Sequence, residues 1–154
     1  MRLLLVSDNH GNTKIIDQVL RKEKYDISIH LGDSEQSESW IKRNFDYYVG
    51  GNHDQFSIEE ATFEIEGIKF AICHGHTIGI SMFSYKKTAL KFAKQNQAQV
   101  VLIGHLHWMV HDTIEKIKII SPGALHLSRG PEGNGYCIME IDKQEIKNVT
   151  FKNV

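Results

Sequence analysis

The sequence predicts an α/β protein, a sandwich of two β-sheets with helices on the outside. Three observations carry that reading: short continuous apolar runs of strand length, helical periodicity between the early runs, and a C-terminal third made of strands and turns. With 154 residues, 41% hydrophobic, 24% charged and only two prolines, the chain has the size and composition of one domain, spanning residues 1–154.

Leu3 to Ser7 is an apolar run ending in polar residues, a strand buried on both faces. Asn12 caps a helix whose Ile15, Ile16, Val19 and Leu20 fall on one face. Ile27 to Leu31 is a second strand ending at Gly32-Asp33, so strand, helix and strand form a βαβ unit. A short helix from Glu35 to Arg43 leads to a third strand, Tyr47 to Val49, stopping at Gly50-Gly51-Asn52-His53-Asp54. Ala61 to Ile65 and Ile68 to Cys73 flank Glu66-Gly67, a two-residue hairpin turn. Tyr85, Ala89, Phe92 and Ala93 mark one side of a helix between Ser84 and Asn96, and Val100 to Ile103 is again a buried strand. Four strands close the chain: Met109 to Glu115, Ile117 to Ile120, Gly135 to Ile141 and Glu145 to Phe151.

Eighteen basic and nineteen acidic side chains leave a net charge of −1, so there is no cationic excess to neutralise a run of phosphates, and extended nucleic acid is not an expected partner. The first apolar run is too short for a signal-peptide core and no stretch reaches membrane-span length; a cytoplasmic protein with no membrane partner is expected. Cys73 and Cys137 lie in apolar strand runs and read as buried, reduced thiols. The compositional oddity is nine histidines, the commonest metal-ligand type.

The polar residues fall just past strand ends. Asp8 and His10 follow the first strand, Asp33 the second, Asn52 and His53 the third, His74 the hairpin strand, and His105 and His107 the strand ending at Ile103. In α/β sheets that edge is where ligands bind. Singly, each residue has an ordinary explanation as a cap, turn former or solvated loop residue. Five strand ends carrying Asp-x-His, Gly-Asp, Gly-Asn-His-Asp, His-Gly and Gly-His-x-His call for one shared cause. Carboxylate and imidazole without thiolate suit manganese, iron, zinc, cobalt or nickel. Two ions about 4 Å apart need a shared oxygen ligand, which a carboxylate supplies. Two divalent ions and two aspartates leave a charge of +2, which a hydroxide and a phosphodiester would neutralise.

The blocks Asp8-Asn9-His10, Gly32-Asp33, Gly51-Asn52-His53-Asp54, His74-Gly75 and Gly104-His105-Leu106-His107 resemble those of the calcineurin-like metallophosphoesterases, in the order and spacing of the small single-domain phosphodiesterases of bacteria and archaea. The resemblance covers nearly the whole chain. It implies an αββα fold and a binuclear centre, manganese first among the candidate ions. One metal would be held by Asp8, His10, Asp33 and His107 and a second by Asp33, Asn52, His74 and His105. It also implies hydrolysis of a small phosphodiester by a metal-bridging hydroxide, with His53 off the metals assisting the reaction and Asp54 orienting His53.

After Asp33 comes Ser34-Glu35-Gln36, without the aspartate and arginine of the superfamily's protein phosphatases, so that activity is disfavoured. Ser121-Pro122-Gly123-Ala124 resembles the family's Asn-Pro-Gly-Ser turn with two changes, and Arg129 beyond it is either a surface side chain or a substrate-phosphate contact. His30 is expected in the core, pointing away from the Gly32 loop; His76 is the nearest rival to His74; His111 and His126 have no assigned role. Phosphomonoesterase or nuclease action would use the same site. A different class, a protein-binding scaffold such as the small retromer subunit of this fold, would be expected to have lost ligands, and here every position is filled. A homo-oligomer is compatible with all of these readings.

Overall fold

A computed structural model describes residues 1–154. The strands are β1 (Arg2–Val6), β2 (Ile27–His30), β3 (Tyr47–Tyr48), β4 (Glu60–Ile65), β5 (Ile68–Cys73), β6 (Val100–Ile103), β7 (Met109–Ile114), β8 (Ile117–Pro122), β9 (Gly135–Asp142) and β10 (Glu145–Asn153). The helices are α1 (Thr13–Lys22), α2 (Glu38–Asn44) and α3 (Tyr85–Gln95). One sheet runs β10-β9-β1-β2-β3 and the other β4-β5-β6-β8-β7. Each has three parallel strands, β1-β2-β3 and β5-β6-β8, with antiparallel strands completing it.

Alternation along β1 shows how one strand serves two layers. Leu3 and Leu5 face inward and pack with Ile29, Phe70, Ile72 and Leu102 between the sheets. Leu4 and Val6 face outward beneath Ile16 and Val19 of α1 and Ile41 of α2. On the other sheet, Ala71, Val101 and Ile103 face outward under Ala89, Phe92 and Ala93 of α3. The layers are therefore α/β/β/α, the expected fold class.

Local chemistry places the elements. The Asn12 side chain accepts the Ile15 N–H and starts α1. Glu66 and Gly67 both have positive φ, 48° and 78°, the backbone of a tight hairpin turn whose hand matches strand twist. α2 begins at Glu38, three residues later than the apolar pattern suggests, because Ser37 is the cap and Glu35 holds a left-handed φ of 55° that no helix admits. A single 3-10 turn at His76–Ile78 had no periodic signal. Cys73 and Cys137 are buried and free, and burial pushes the Cys137 thiol up to about 12.

Candidate metal centre

The loops after β1, β2, β3, β5 and β6 meet at one edge of the sandwich. The Asp8 N–H donates to Gly32 O at 2.9 Å, His10 N–H to Asp33 O at 3.1 Å, and Gly104 N–H to His74 O at 3.1 Å. Across the sheets, His105 N–H donates to Asp8 Oδ2 at 3.2 Å. Two glycines allow this convergence. A Cβ on Gly51 would lie 2.1 Å from Asp33 Oδ1, and one on Gly104 would lie 2.7 Å from Leu31 O and 2.8 Å from His74 Nδ1.

The ligand-type atoms of Asp8, His10, Asp33 and His107 all lie within 4.8 Å of one another. His74 extends the group, with Nε2 3.3 Å from Asp33 Oδ2 and 3.3 Å from His105 Nδ1. Asn52 is exposed and lines the same cleft, of about 480 Å³, as Asp33 and His105. All seven residues singled out as ligands in the sequence therefore occupy one place. His74, not His76, stands against Asp33; the His76 Nε2 is 3.8 Å from Glu59 Oε1.

Proton placement shows which ligand atoms are free. The His107 Nδ1–H donates to Leu127 O at 2.8 Å, and the His74 Nδ1–H to Leu31 O at 2.8 Å. The His10 Nδ1–H donates to Glu35 Oε1 at 3.0 Å. In these neutral tautomers every Nε2 carries a bare lone pair. His107 Nε2 nonetheless lies 3.1 Å from His10 Nε2 and 2.9 Å from Asp8 Oδ1, and Asp8 Oδ1 is buried without a hydrogen-bond donor. Lone pairs at that separation need a cation between them, either an added proton or a metal ion.

The same contacts set the protonation equilibria. The Asp8 carboxylate beside its ring raises the affinity of His107 for a proton, and burial opposes it. Burial works against a charged His74, but Asp33 and Asp8 outweigh it and hold its pKa up. Burial also opposes ionisation of Asp33, yet His74 and the His53 N–H keep its carboxyl well below the usual range. Burial pushes His105 down, leaving a neutral donor. Two carboxylates ringed by imidazoles whose free nitrogens converge form a donor set that fits borderline divalent ions.

His53 sits on the rim, exposed, its ring 5.6 Å from that of His10 and its N–H donating to Asp33 Oδ1 at 2.9 Å. The expectation that Asp54 orients His53 needs correction. The Asp54 carboxylate accepts from Glu35 N at 2.8 Å, Gly51 N at 2.9 Å, Ser34 Oγ at 3.0 Å and Ser34 N at 3.2 Å, and from no atom of His53. Its place at the turn lets it clamp the β2 loop to the β3 loop.

His30 also departs from expectation: it is buried but turned toward the loop. Its Nδ1 accepts Gly32 N–H at 3.1 Å while Nε2–H donates to Asn9 Oδ1 at 2.9 Å. His126 and Arg129 both line the cleft, and His111 is exposed on β7. Site residues beyond the sequence motifs are Ser7, whose hydroxyl donates to Asp8 Oδ2, Glu35, and Leu127, whose carbonyl holds His107. No spacing rule marks Leu127, which contributes a backbone atom. A carboxylate two positions after Asp33 was the only available sign of Glu35.

A cluster of aspartates and histidines at the carboxyl edge of a two-sheet α/β sandwich defines a metallophosphoesterase architecture. Residues 1–144 match the family described as the calcineurin-like phosphoesterase superfamily domain, and the chain belongs to that superfamily. It is 32% identical over 152 residues to a probable metallophosphoesterase of Mycoplasma pneumoniae, covering 97% of this chain and 96% of that one. The crystal structure of a predicted phosphoesterase from Streptococcus pneumoniae superposes with a TM-score of 0.85 at 29% identity, covering 99% of this chain and 88% of that one. Vps29 of Entamoeba histolytica, solved with bound zinc, shares the fold at a TM-score of 0.74 and 14% identity, covering 100% of this chain and 98% of that one.

Proposed function

We propose that this protein is a metal-dependent phosphodiesterase acting on small diesters, with Asp8, His10, Asp33 and His107 holding one divalent ion and Asp33, Asn52, His74 and His105 a second. The observation that carries the reading is the set of facing lone pairs around the unsatisfied Asp8 Oδ1. When bound, such ions supply Lewis acidity toward the phosphoryl oxygens and activate water at neutral pH. Manganese comes first among the candidates, with nickel, zinc, iron and cobalt sharing the same ligand preferences.

The chain's own residues do the rest. Asp33, 3.3 Å from His74 Nε2 and within 4.8 Å of the ligand atoms of His10 and His107, would be the shared carboxylate. Its two oxygens are aimed by His53 N–H and by His74. His53, on the rim, donates a hydrogen bond to a non-bridging phosphoryl oxygen or a proton to the leaving alkoxide. Arg129 lines the same cleft with no acidic partner within ion-pair distance, and its guanidinium serves the substrate phosphate. Glu35, also in the lining, places a negative charge on the rim that a monoanionic diester tolerates better than a dianionic monoester.

The test is hydrolysis of bis(p-nitrophenyl) phosphate and p-nitrophenyl phosphate by metal-stripped protein with each ion added back singly. Ion-dependent cleavage, faster on the diester, is expected. Cleavage of the monoester alone would make the protein a phosphomonoesterase, and no cleavage with any ion would leave the scaffold reading.

A further inference from the structure

Of the three imidazoles whose Nε2 atoms converge on the Asp8 and Asp33 carboxylates, His10 is held in a different way. His74 and His107 give their Nδ1 protons to backbone carbonyls, Leu31 O and Leu127 O. His10 gives its proton to the Glu35 carboxylate at 3.0 Å, a side chain 42% exposed to solvent.

The backbone at Glu35 is fixed in an uncommon state. Its φ of 55° lies in the left-handed region, which glycine adopts freely and a glutamate does not. Here the strain is held in place by the Glu35 N–H donating to Asp54 Oδ1 at 2.8 Å. The adjoining Ser34 carbonyl accepts Gly11 N–H at 2.9 Å and Asn9 Nδ2 at 3.1 Å, which ties this loop to the one carrying His10. Strained non-glycine residues persist where surrounding structure fixes them for a purpose.

We propose that Glu35 is a positioning residue for the metal centre. By accepting the Nδ1 proton it locks His10 in the tautomer that leaves Nε2 free toward Asp8 and His107, and its charge strengthens Nε2 as a donor. Glu35 itself stays outside the group of Asp8, His10, Asp33 and His107, whose ligand atoms lie within 4.8 Å of one another. The inference rests on the metal-centre reading and is independent of the substrate.

Metal-free wild-type, Glu35→Ala and Glu35→Gln proteins are titrated with Co2+ against a chromophoric chelator, and the visible Co2+ spectrum is recorded at saturation. Loss of an outer carboxylate on a ligating histidine is expected to weaken the Glu35→Ala site about 10–100-fold. Glu35→Gln, whose amide oxygen accepts the same proton, is expected to recover most of that loss, with the Co2+ bands of both variants at wild-type positions. Wild-type affinity in Glu35→Ala overturns the proposal. Equal losses in both variants overturn it too, leaving a charge effect without positioning, and displaced bands overturn it by making Glu35 a ligand.

If Glu35→Ala does not fold, the His10 tautomer in metal-free wild type and Glu35→Gln, read from long-range proton–nitrogen spectra, decides: a proton absent from Nδ1 in wild type refutes the positioning role. A wild-type protein that takes up no Co2+ is distinct from all of these outcomes. It defeats the metal-centre reading, and this inference with it.

Discussion

His30 is fully buried behind the Asp33 loop, with Nδ1 accepting from Gly32 and Nε2–H donating to Asn9. Both ring nitrogens are committed to a neutral imidazole, so protonation would convert the acceptor of Gly32 N–H into a donor facing a donor. Burial drives its pKa down from the ordinary 6.5 to about 4, with Asp54 and Asp8 offsetting part of the effect. The unfolded chain therefore takes up this proton at higher pH than the folded one. The stability His30 confers is complete above about pH 6.5 and is lost as the pH falls toward 4. The gap between the two pKa values is worth roughly 3 kcal/mol in full, and about 2 kcal/mol of it is gone by pH 5. For a chain of this length that is a fall in melting temperature of about 4–8 °C. The assay is thermal unfolding of metal-free wild type and His30→Gln between pH 7.5 and 4.5. Glutamine cannot take up the proton, so its curve carries the titrations common to both proteins and lacks this one. The two curves are expected to converge as the pH falls. Parallel curves over the whole range would refute the reasoning.

Three further outcomes follow from the site geometry. His53→Ala is expected to lower kcat on the diester by about 100-fold or more while metal content stays at the wild-type level, because its side chain lies exposed on the cleft rim and outside the proposed ligand set; elemental analysis showing metal loss would contradict its place. Asp54→Ala removes the acceptor of four hydrogen bonds. With water partly replacing it at a half-exposed position, a loss of about 2 kcal/mol, or about 4–8 °C in melting temperature, is expected, and an unchanged melting temperature would count against the clamp. Gly51→Ala would bring a methyl carbon to 2.1 Å from Asp33 Oδ1. The carboxylate must then move, and metal stoichiometry by elemental analysis is expected to fall below half of wild type with the circular dichroism spectrum retained.

Much of the fold was legible because its strands are buried on one or both faces and its turns carry their own chemistry. β1 and β6 read as continuous apolar runs since each lies under both a facing sheet and a helix. The β4–β5 hairpin announced itself through Gly67. The third strand was visible but overlong, since β3 pairs only through Tyr47 and Tyr48. Side-chain direction was the harder question. Strand alternation placed His30 away from the Gly32 loop, but the chain turns immediately after β2, and the Gly32 N–H folds back onto the ring. Asp54 failed for a related reason: proximity in sequence to His53 suggested a pair, whereas unpaired amides at Gly51, Ser34 and Glu35 claimed the carboxylate first. Motif residues were legible because their type betrays their chemistry. Leu127 was not, because what it contributes is a carbonyl that any residue possesses.

The distribution of backbone strain joins the fold to the site. Thirteen residues other than glycine have positive φ. Six of them, Glu66, Gln97, Glu115, Lys116, Lys143 and Gln144, lie in hairpin turns or at the end of α3, where a left-handed residue reverses the chain. The other seven are Asp8, His10, Asp33, Glu35, His105, His107 and Leu127, and all of them belong to the cluster, hold one of its imidazoles, or both line and close the cleft. Each left-handed residue costs about 1–2 kcal/mol relative to the right-handed form. At the turns, that cost is imposed by topology and glycine would relieve it. At the cluster, glycine would relieve it only by deleting the side chain that converges, except at Leu127, where the carbonyl is the working group. Solvated loops have no reason to hold six polar side chains in that state at one sheet edge. A centre that must bring carboxylates and neutral imidazoles within ligand distance of the same point does, because loops leaving parallel strands diverge unless the backbone turns sharply at the residue that carries the ligand.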